Sequence, residues 1–317
     1  MMPITLYKNT DILNIKGEKE MPGLDDVLNN HDNIIYDTDV DGLLNPGFKQ
    51  LEEVIESDDD IVLEQEPETK TFIEPKVAQP HLSPELLSSG ILVLDKNIGG
   101  GLPAGSVIYL SAATKSMSEI FLYQFTQSRK TYYFCTERRP KFVQQDIQNL
   151  NFDVSNITFI DVYGSYYLSP HGEMIDNTGN EYVDAKIVEF MEYNINNILS
   201  KETGNEINII IDSFSFFLNL NVNHGVIRRL LNIIYETTKE TGGLSFLYGM
   251  KGSHEHLIEN EIFNICDAIF DVDIEKTADK IINKLSIPKL RGMIPNLEMI
   301  KFKIGDGIQI DTTKDIA

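Results

Sequence analysis

The chain has 317 residues, 42% of them hydrophobic, and a formal net charge of −22 from 49 Asp/Glu against 27 Lys/Arg. That length fits one large domain with an appendage or two small ones, and the acidic surplus argues against sequence-independent DNA or RNA binding, which depends on Lys and Arg neutralising phosphates. No apolar run has the length of a membrane span or a secretion signal, and the two cysteines, Cys135 and Cys266, lack metal spacing and read as reduced, buried thiols of a cytoplasmic protein.

Residues 1–80 hold 19 Asp/Glu against 6 Lys and include the run Glu56-Ser57-Asp58-Asp59-Asp60. Residues 1–85 therefore read as a disordered or loosely ordered acidic tail. Two stretches in it, Leu24, Val27, Leu28 and Phe48, Leu51, Ile55, have helical spacing and are candidate docking segments. From residue 86 the pattern becomes α/β. Strands are predicted over 107–110, 131–135, 157–163, 207–214 and 244–250. Helices are predicted over 117–129, 140–150, 183–199 and 226–240, the last ended by Gly242-Gly243. Near-continuous apolar strands alternating with helices imply a parallel sheet covered on both faces. Three further strands, 268–275, 284–289 and 299–310, follow in succession, with a hairpin turn at Gly305-Asp306-Gly307.

The most telling stretch starts with Leu94-Asp95 and runs through Gly99-Gly100-Gly101-Leu102-Pro103-Ala104-Gly105-Ser106 into the first core strand and the loop Ala112-Ala113-Thr114-Lys115-Ser116-Met117-Ser118-Glu119. Strand, loop and helix form the frame in which a helix N-terminus holds an anion. With this leader, the run Ile207-Asn208-Ile209-Ile210-Ile211-Asp212-Ser213, the strand ending Thr136-Glu137-Arg138-Arg139-Pro140 and the element Lys289-Leu290-Arg291-Gly292, residues 86–312 resemble the RecA-like ATPases of the KaiC group. Residues 313–317 form a C-terminal tail.

The resemblance implies a mainly parallel RecA-like sheet with helices on both faces and a C-terminal antiparallel extension. It implies that Asp212 is the Walker B residue that organises Mg²⁺, that Glu137 is what remains of an acidic pair that polarises water, and that Lys289 and Arg291 reach the nucleotide of a neighbouring subunit. Its Walker A loop falls on residues 112–119, with the phosphate-binding Lys at Ser118 and the Mg²⁺-binding Ser/Thr at Glu119. The residues themselves predict a degenerate loop. Ala, Lys and Met stand where a phosphate nest needs glycine, the charge of the Lys is lost, and Glu119 repels a polyanion. Ser116-Met117-Ser118-Glu119 also fits a capping box, with Ser116 at N-cap.

These readings predict a non-hydrolysing, RecA/KaiC-like pseudo-ATPase with no cofactor. It would be a regulatory or assembly partner in signalling, bound to another RecA-like ATPase or to itself, with the acidic tail as a docking segment and neither nucleic acid nor membrane as a partner. The alternative is an ATP-binding switch or weak ATPase with Mg²⁺, in which Lys115 supplies charge, Asp212 binds the metal and Glu137 positions water. Glu137 is expected to pair with Arg138 or Arg139. Lys289 and Arg291 have a second reading as cations bonded to carbonyls at a strand end. His254-Glu255-His256 lacks a third metal ligand and reads as exposed polar residues.

Overall fold

In the leader, apolar positions alternate with small residues that allow close turns. The structure, a computed structural model, describes residues 84–311 except 177, 278–279, 295–297 and 306, together with two short upstream strands, β1 (Tyr7–Lys8) and β2 (Asp11–Ile12). The docking segments expected around Leu28 and Leu51, and the tail over 313–317, lie outside the described residues.

The leader folds into a clasp. β3 (Leu86–Leu87) pairs antiparallel with β4 (Leu102–Pro103), and α1 (Leu92–Asn97) lies between them in the chain. Asp95, only 4% exposed, accepts the Ser89 N–H at 2.9 Å and the Ser88 hydroxyl at 2.6 Å. Gly101 has φ 147°, and a Cβ there would stand 2.5 Å from the Leu87 carbonyl oxygen. Only glycine lets these strands close.

Six strands then build the core: β5 (Ser106–Ala112), β6 (Thr131–Cys135), β7 (Ile157–Asp161), β8 (Asn208–Asp212), β9 (Leu244–Met250) and β10 (Ala268–Lys276). They lie in the order β10-β5-β9-β8-β6-β7 and are all parallel. Side chains alternate across the sheet, so Ile108 and Leu110 enter one buried cluster while Val107 and Tyr109 enter the other. The first cluster is covered by α2 (Glu119–Phe125) and α3 (Pro140–Asn149). The second is covered by α4 (Val162–Tyr167), α5 (Glu181–Glu202), α6 (Ser215–Leu218), α7 (His224–Thr241) and α8 (His256–Ile265). Phe125 stacks on Phe246 with ring centroids 4.2 Å apart.

The predicted antiparallel extension is present. β11 (Ile281–Leu290) pairs with β10, β12 (Ile300–Gly305) with β11, and β13 (Gly307–Asp311) with β12. Phe302 of β12 meets Phe121 edge-on at 5.0 Å and ties the extension to α2. At the other edge, β1 pairs with β7 and β2 with β1, which places two short strands inside the stretch expected as tail.

Three of the boundaries that differ from expectation have a local cause. The helix predicted over 117–129 spans only Glu119–Phe125, because the Thr126 and Ser128 hydroxyls donate back to the Tyr123 and Phe125 carbonyls at 2.6 and 3.0 Å and turn the chain. The strand predicted over 157–163 stops at Asp161, whose carboxylate accepts the Gly164 N–H at 2.7 Å and caps α4. The helix predicted over 183–199 runs from Glu181 to Glu202, with Asn180 as its cap.

Candidate functional site

An open parallel sheet binds ligands at the carboxyl ends of its strands, where loops from several strands converge. Cys135 and Asp212 end β6 and β8 in register, and the 112–119 loop leaves the same edge from β5. Ala112, Ser116, Ser118, Glu119, Glu137 and Asp212 are thus gathered at one rim. Lys115 is exposed and Glu119 is half-buried.

The capping box does not form. Ser118, not Ser116, holds the N-cap position and makes no side-chain cap bond. Ser116 is turned the other way: its hydroxyl donates to the Ala113 carbonyl at 2.6 Å and lies against the fully buried Ser118 hydroxyl. The loop is further tied down by Ala113 N–H on the Val272 carbonyl and Lys251 N–H on the Ala112 carbonyl, both at 2.9 Å. Among the described residues Asn151 is the one non-glycine with positive φ, so the loop makes no left-handed turn.

Asp212, 7% exposed, accepts the Tyr133 hydroxyl at 2.8 Å, and an Arg138 guanidinium nitrogen lies 3.7 Å from the same oxygen. Burial pushes the Asp212 carboxyl up to about 6; Tyr133 and Arg138 pull it down, while Glu119 and Glu137 add to the rise. Arg138 is the hub. It donates to Asp146 of α3 at 2.6 Å and to the Tyr123 hydroxyl of α2 at 2.8 Å.

The ion pair expected for Glu137 is not the one that forms. Glu137 accepts the Ser213 hydroxyl at 3.2 Å, Arg138 turns to Asp146 and Asp212, and Arg139 reaches the Gly172 carbonyl at 3.5 Å. Tyr123, Tyr133 and Asp146 are not singled out by the sequence, and Arg138 is expected there only as a partner of Glu137. The sole available signal was the Arg138…Asp146 spacing across the start of a helix, and it does not point to Asp212.

Lys289 and Arg291 sit at the opposite, amino-terminal edge of the sheet. Lys289 donates to the Phe263 and Asn264 carbonyls at 2.5 and 3.1 Å, and Arg291 to the Asn264 carbonyl at 2.9 Å, so both neutralise the carboxyl end of α8. Arg291 also pairs at 2.9 Å with Asp267, a buried carboxylate that accepts the Val107 N–H at 3.0 Å and the Lys239 ammonium at 2.8 Å. Within this chain they are separate from the Asp212 rim.

Cys135 and Cys266 are both buried, and burial raises both thiols, Cys266 to about 12. Among the described residues no group of three or more His, Cys, Asp or Glu has metal-binding geometry. His256 opens α8 with its side chain 95% exposed, whereas His254 turns inward, its Nε2 3.3 Å from the buried Tyr109 hydroxyl and its Nδ1 buried without a partner. Burial lowers the His254 imidazole below its ordinary value, against an opposing pull from Glu259. A folded-state value below the unfolded one gives stability that is complete above the unfolded value and lost as pH falls through the folded one. His254→Phe is therefore expected to flatten the acid side of the pH–stability curve below ~6.5, read by urea unfolding across pH; an unchanged acid limb would count against it.

Parallel core, antiparallel extension and a loop-rimmed carboxyl edge together make this a RecA-like α/β domain. The chain belongs to a family of unknown function, DUF7125, whose model matches residues 86–317. The KaiC-like protein PH0186 from the archaeon Pyrococcus horikoshii has a similar fold, with a TM-score of 0.55 and 18% identity over 72% of this chain and 99% of that one. The flagellar accessory protein FlaH from Methanocaldococcus jannaschii is similar at a TM-score of 0.57 and 17% identity, over 72% of this chain and 100% of that one. No curated protein matches the sequence. Among the described residues no helix is long and apolar enough to cross a membrane.

Proposed function

We propose that this is a RecA-like pseudo-ATPase that neither binds Mg–ATP tightly nor hydrolyses it. It serves as a regulatory or assembly partner in the cytoplasm, acting on another RecA-like ATPase or on a second copy of itself. One observation carries the reading: a guanidinium, held by Asp146 and Tyr123, lies beside Asp212. Three others support it. The loop makes no left-handed turn that would aim successive N–H groups at a phosphate. The hydroxyl at position 118 is fully buried and bonded to Ser116. A carboxylate, Glu119, stands at the first turn of the following helix, where it suits the helix dipole and repels a polyanion. The residues present do not fit Mg–ATP.

The partner role rests on the kept scaffold. Arg291 is 47% exposed, so a subunit packed on the amino-terminal edge would meet Lys289 and Arg291. The acidic surplus disfavours nucleic acid as the partner. The test is equilibrium binding of a fluorescent ATP analogue to the full chain with Mg²⁺. No saturable binding in the micromolar range is expected. Micromolar binding that Lys115→Ala abolishes would replace this reading with an ATP-binding switch.

A further inference from the structure

α5 and α7 pack side by side over the second cluster, and an open groove of about 370 Å³ runs between them. The helices are tied together beyond one end of it by Arg229, whose Nε and Nη2 donate to the two oxygens of Glu192 at 2.9 and 3.0 Å. Beyond the other end the Gly204 N–H donates to the Glu240 carbonyl at 3.1 Å. Half-buried Leu199 and Ile233 give the groove apolar surface, and exposed Asn196, Asn232 and Glu236 give it polar groups. Thr237 also lines it. This residue is fully buried, yet its hydroxyl has no hydrogen-bond partner; among the described residues the one other buried side-chain polar atom in that state is His254 Nδ1. A threonine inside a helix can return its hydroxyl to the carbonyl four residues back. Thr238 does so, 2.6 Å from the Ile234 carbonyl, and meets the Ser245 hydroxyl at 2.6 Å as well. Thr237 does not, which destabilises the fold unless something supplies the missing bond.

The groove's two arginines are already matched, Arg228 to Glu261 at 2.6 Å and Arg229 to Glu192. The side chains of Asn196, Asn232 and Glu236 make no hydrogen bond or ion pair among the described residues. What is left over is one negative charge, hydroxyl and amide oxygens, and an aliphatic surface. We infer that this groove binds a small aliphatic amine in its ammonium form. The ammonium donates to the Glu236 carboxylate and the Thr237 hydroxyl, and the carbon chain lies on Leu199 and Ile233. An ammonium has three donors and no acceptor, which matches acceptors left unpaired. An anion would be repelled by Glu236, and a purely apolar ligand would leave Thr237 as it is. The net charge of −22 raises the local concentration of cations. The site shares no residue with the Asp212 rim, so it stands whether or not that rim takes a nucleotide.

The probe is n-pentylammonium, titrated into the full chain labelled at its Thr, Leu and Ile methyl groups and followed by NMR. Shifts at Leu199, Ile233 and Thr237 should saturate with a half-point below ~1 mM. Pentanol, which lacks the charge, and tetramethylammonium, which lacks the donors, should leave those methyls in place. Glu236→Gln should weaken binding about tenfold, because a charge-assisted bond becomes a neutral one. Thr237→Val replaces the unpaired hydroxyl with a methyl. It should raise the melting midpoint of the ligand-free protein by about 2–4 °C and weaken pentylammonium about fivefold. Methyls that stay in place up to ~10 mM probe, the same shifts from tetramethylammonium, or full-strength binding by Glu236→Gln would each overturn the proposal. A Thr237→Val protein that melts at or below the parent would show that the hydroxyl is already served, and overturns it equally. If the amide of Nα-acetyl-lysine saturates the same methyls at lower concentration than pentylammonium, the occupant is a lysine of a protein partner and the small-molecule reading falls.

Discussion

Asp267→Ala is expected to lower unfolding free energy by about 3–5 kcal/mol, a fall of roughly 6–20 °C in the melting midpoint. The Asp267 side chain is 5% exposed and serves three donors from three elements: the Val107 N–H of β5, Lys239 of α7 and Arg291 after β11. Alanine leaves a buried strand N–H without an acceptor and two cations without their counter-charge. Lys239 and Arg291 are 35% and 47% exposed, so water recovers part of their loss and the lower half of the range is the better expectation. Asp267→Asn keeps an oxygen for Val107 and should cost about half as much, the remainder being charge. Urea unfolding of both variants makes the comparison. A loss below ~1 kcal/mol for alanine, the scale of a surface ion pair, would show that Asp267 does not hold this edge together.

The second large effect is steric. Gly242 and Gly243 end α7 side by side, yet substitution should separate them sharply. Gly242 has φ 69° and nothing within 4 Å of a would-be Cβ, so alanine there costs about 1–2 kcal/mol of backbone strain. At Gly243 a Cβ would stand 1.9 Å from the Ile207 carbonyl oxygen and 2.7 Å from its nitrogen. Both are backbone atoms beside the start of β8, so no side chain can move aside. Gly243→Ala should cost more than ~4 kcal/mol and yield little soluble protein. Soluble yield and denaturation midpoint decide the matter; the reverse order of severity would contradict the close approach of these strands.

The strands were legible in the sequence because a strand buried on both faces is apolar at nearly every position, as 106–112 and 208–212 are. The long helices α5 and α7 were legible for a related reason: each has an apolar stripe and a polar face. The helices α4, α6 and α8 were not: α4 and α6 have six and four residues, too few for a period, and α8 buries fully only Ile262. At the rim, Asp212 and the 112–119 loop could be placed from strand ends alone. The partner of Asp212 could not be placed, because Arg138 reaches it through a rotamer chosen by Tyr123 and Asp146, residues 15 and 8 positions away. The capping box failed for a similar reason. Spacing allowed Ser116 to accept from the helix, but its hydroxyl found a nearer carbonyl at Ala113.

The place of β5 in the sheet bears on how the chain comes together. Its two neighbours, β9 and β10, are made more than a hundred residues later, and the Val107–Asp267 bond spans 160 positions. A growing chain therefore leaves the ribosome with its central strand bare on both sides, and loop closure over that distance slows docking. Until β10 is complete at Lys276, the nascent protein presents an open apolar ladder, the form most prone to stick to its neighbours.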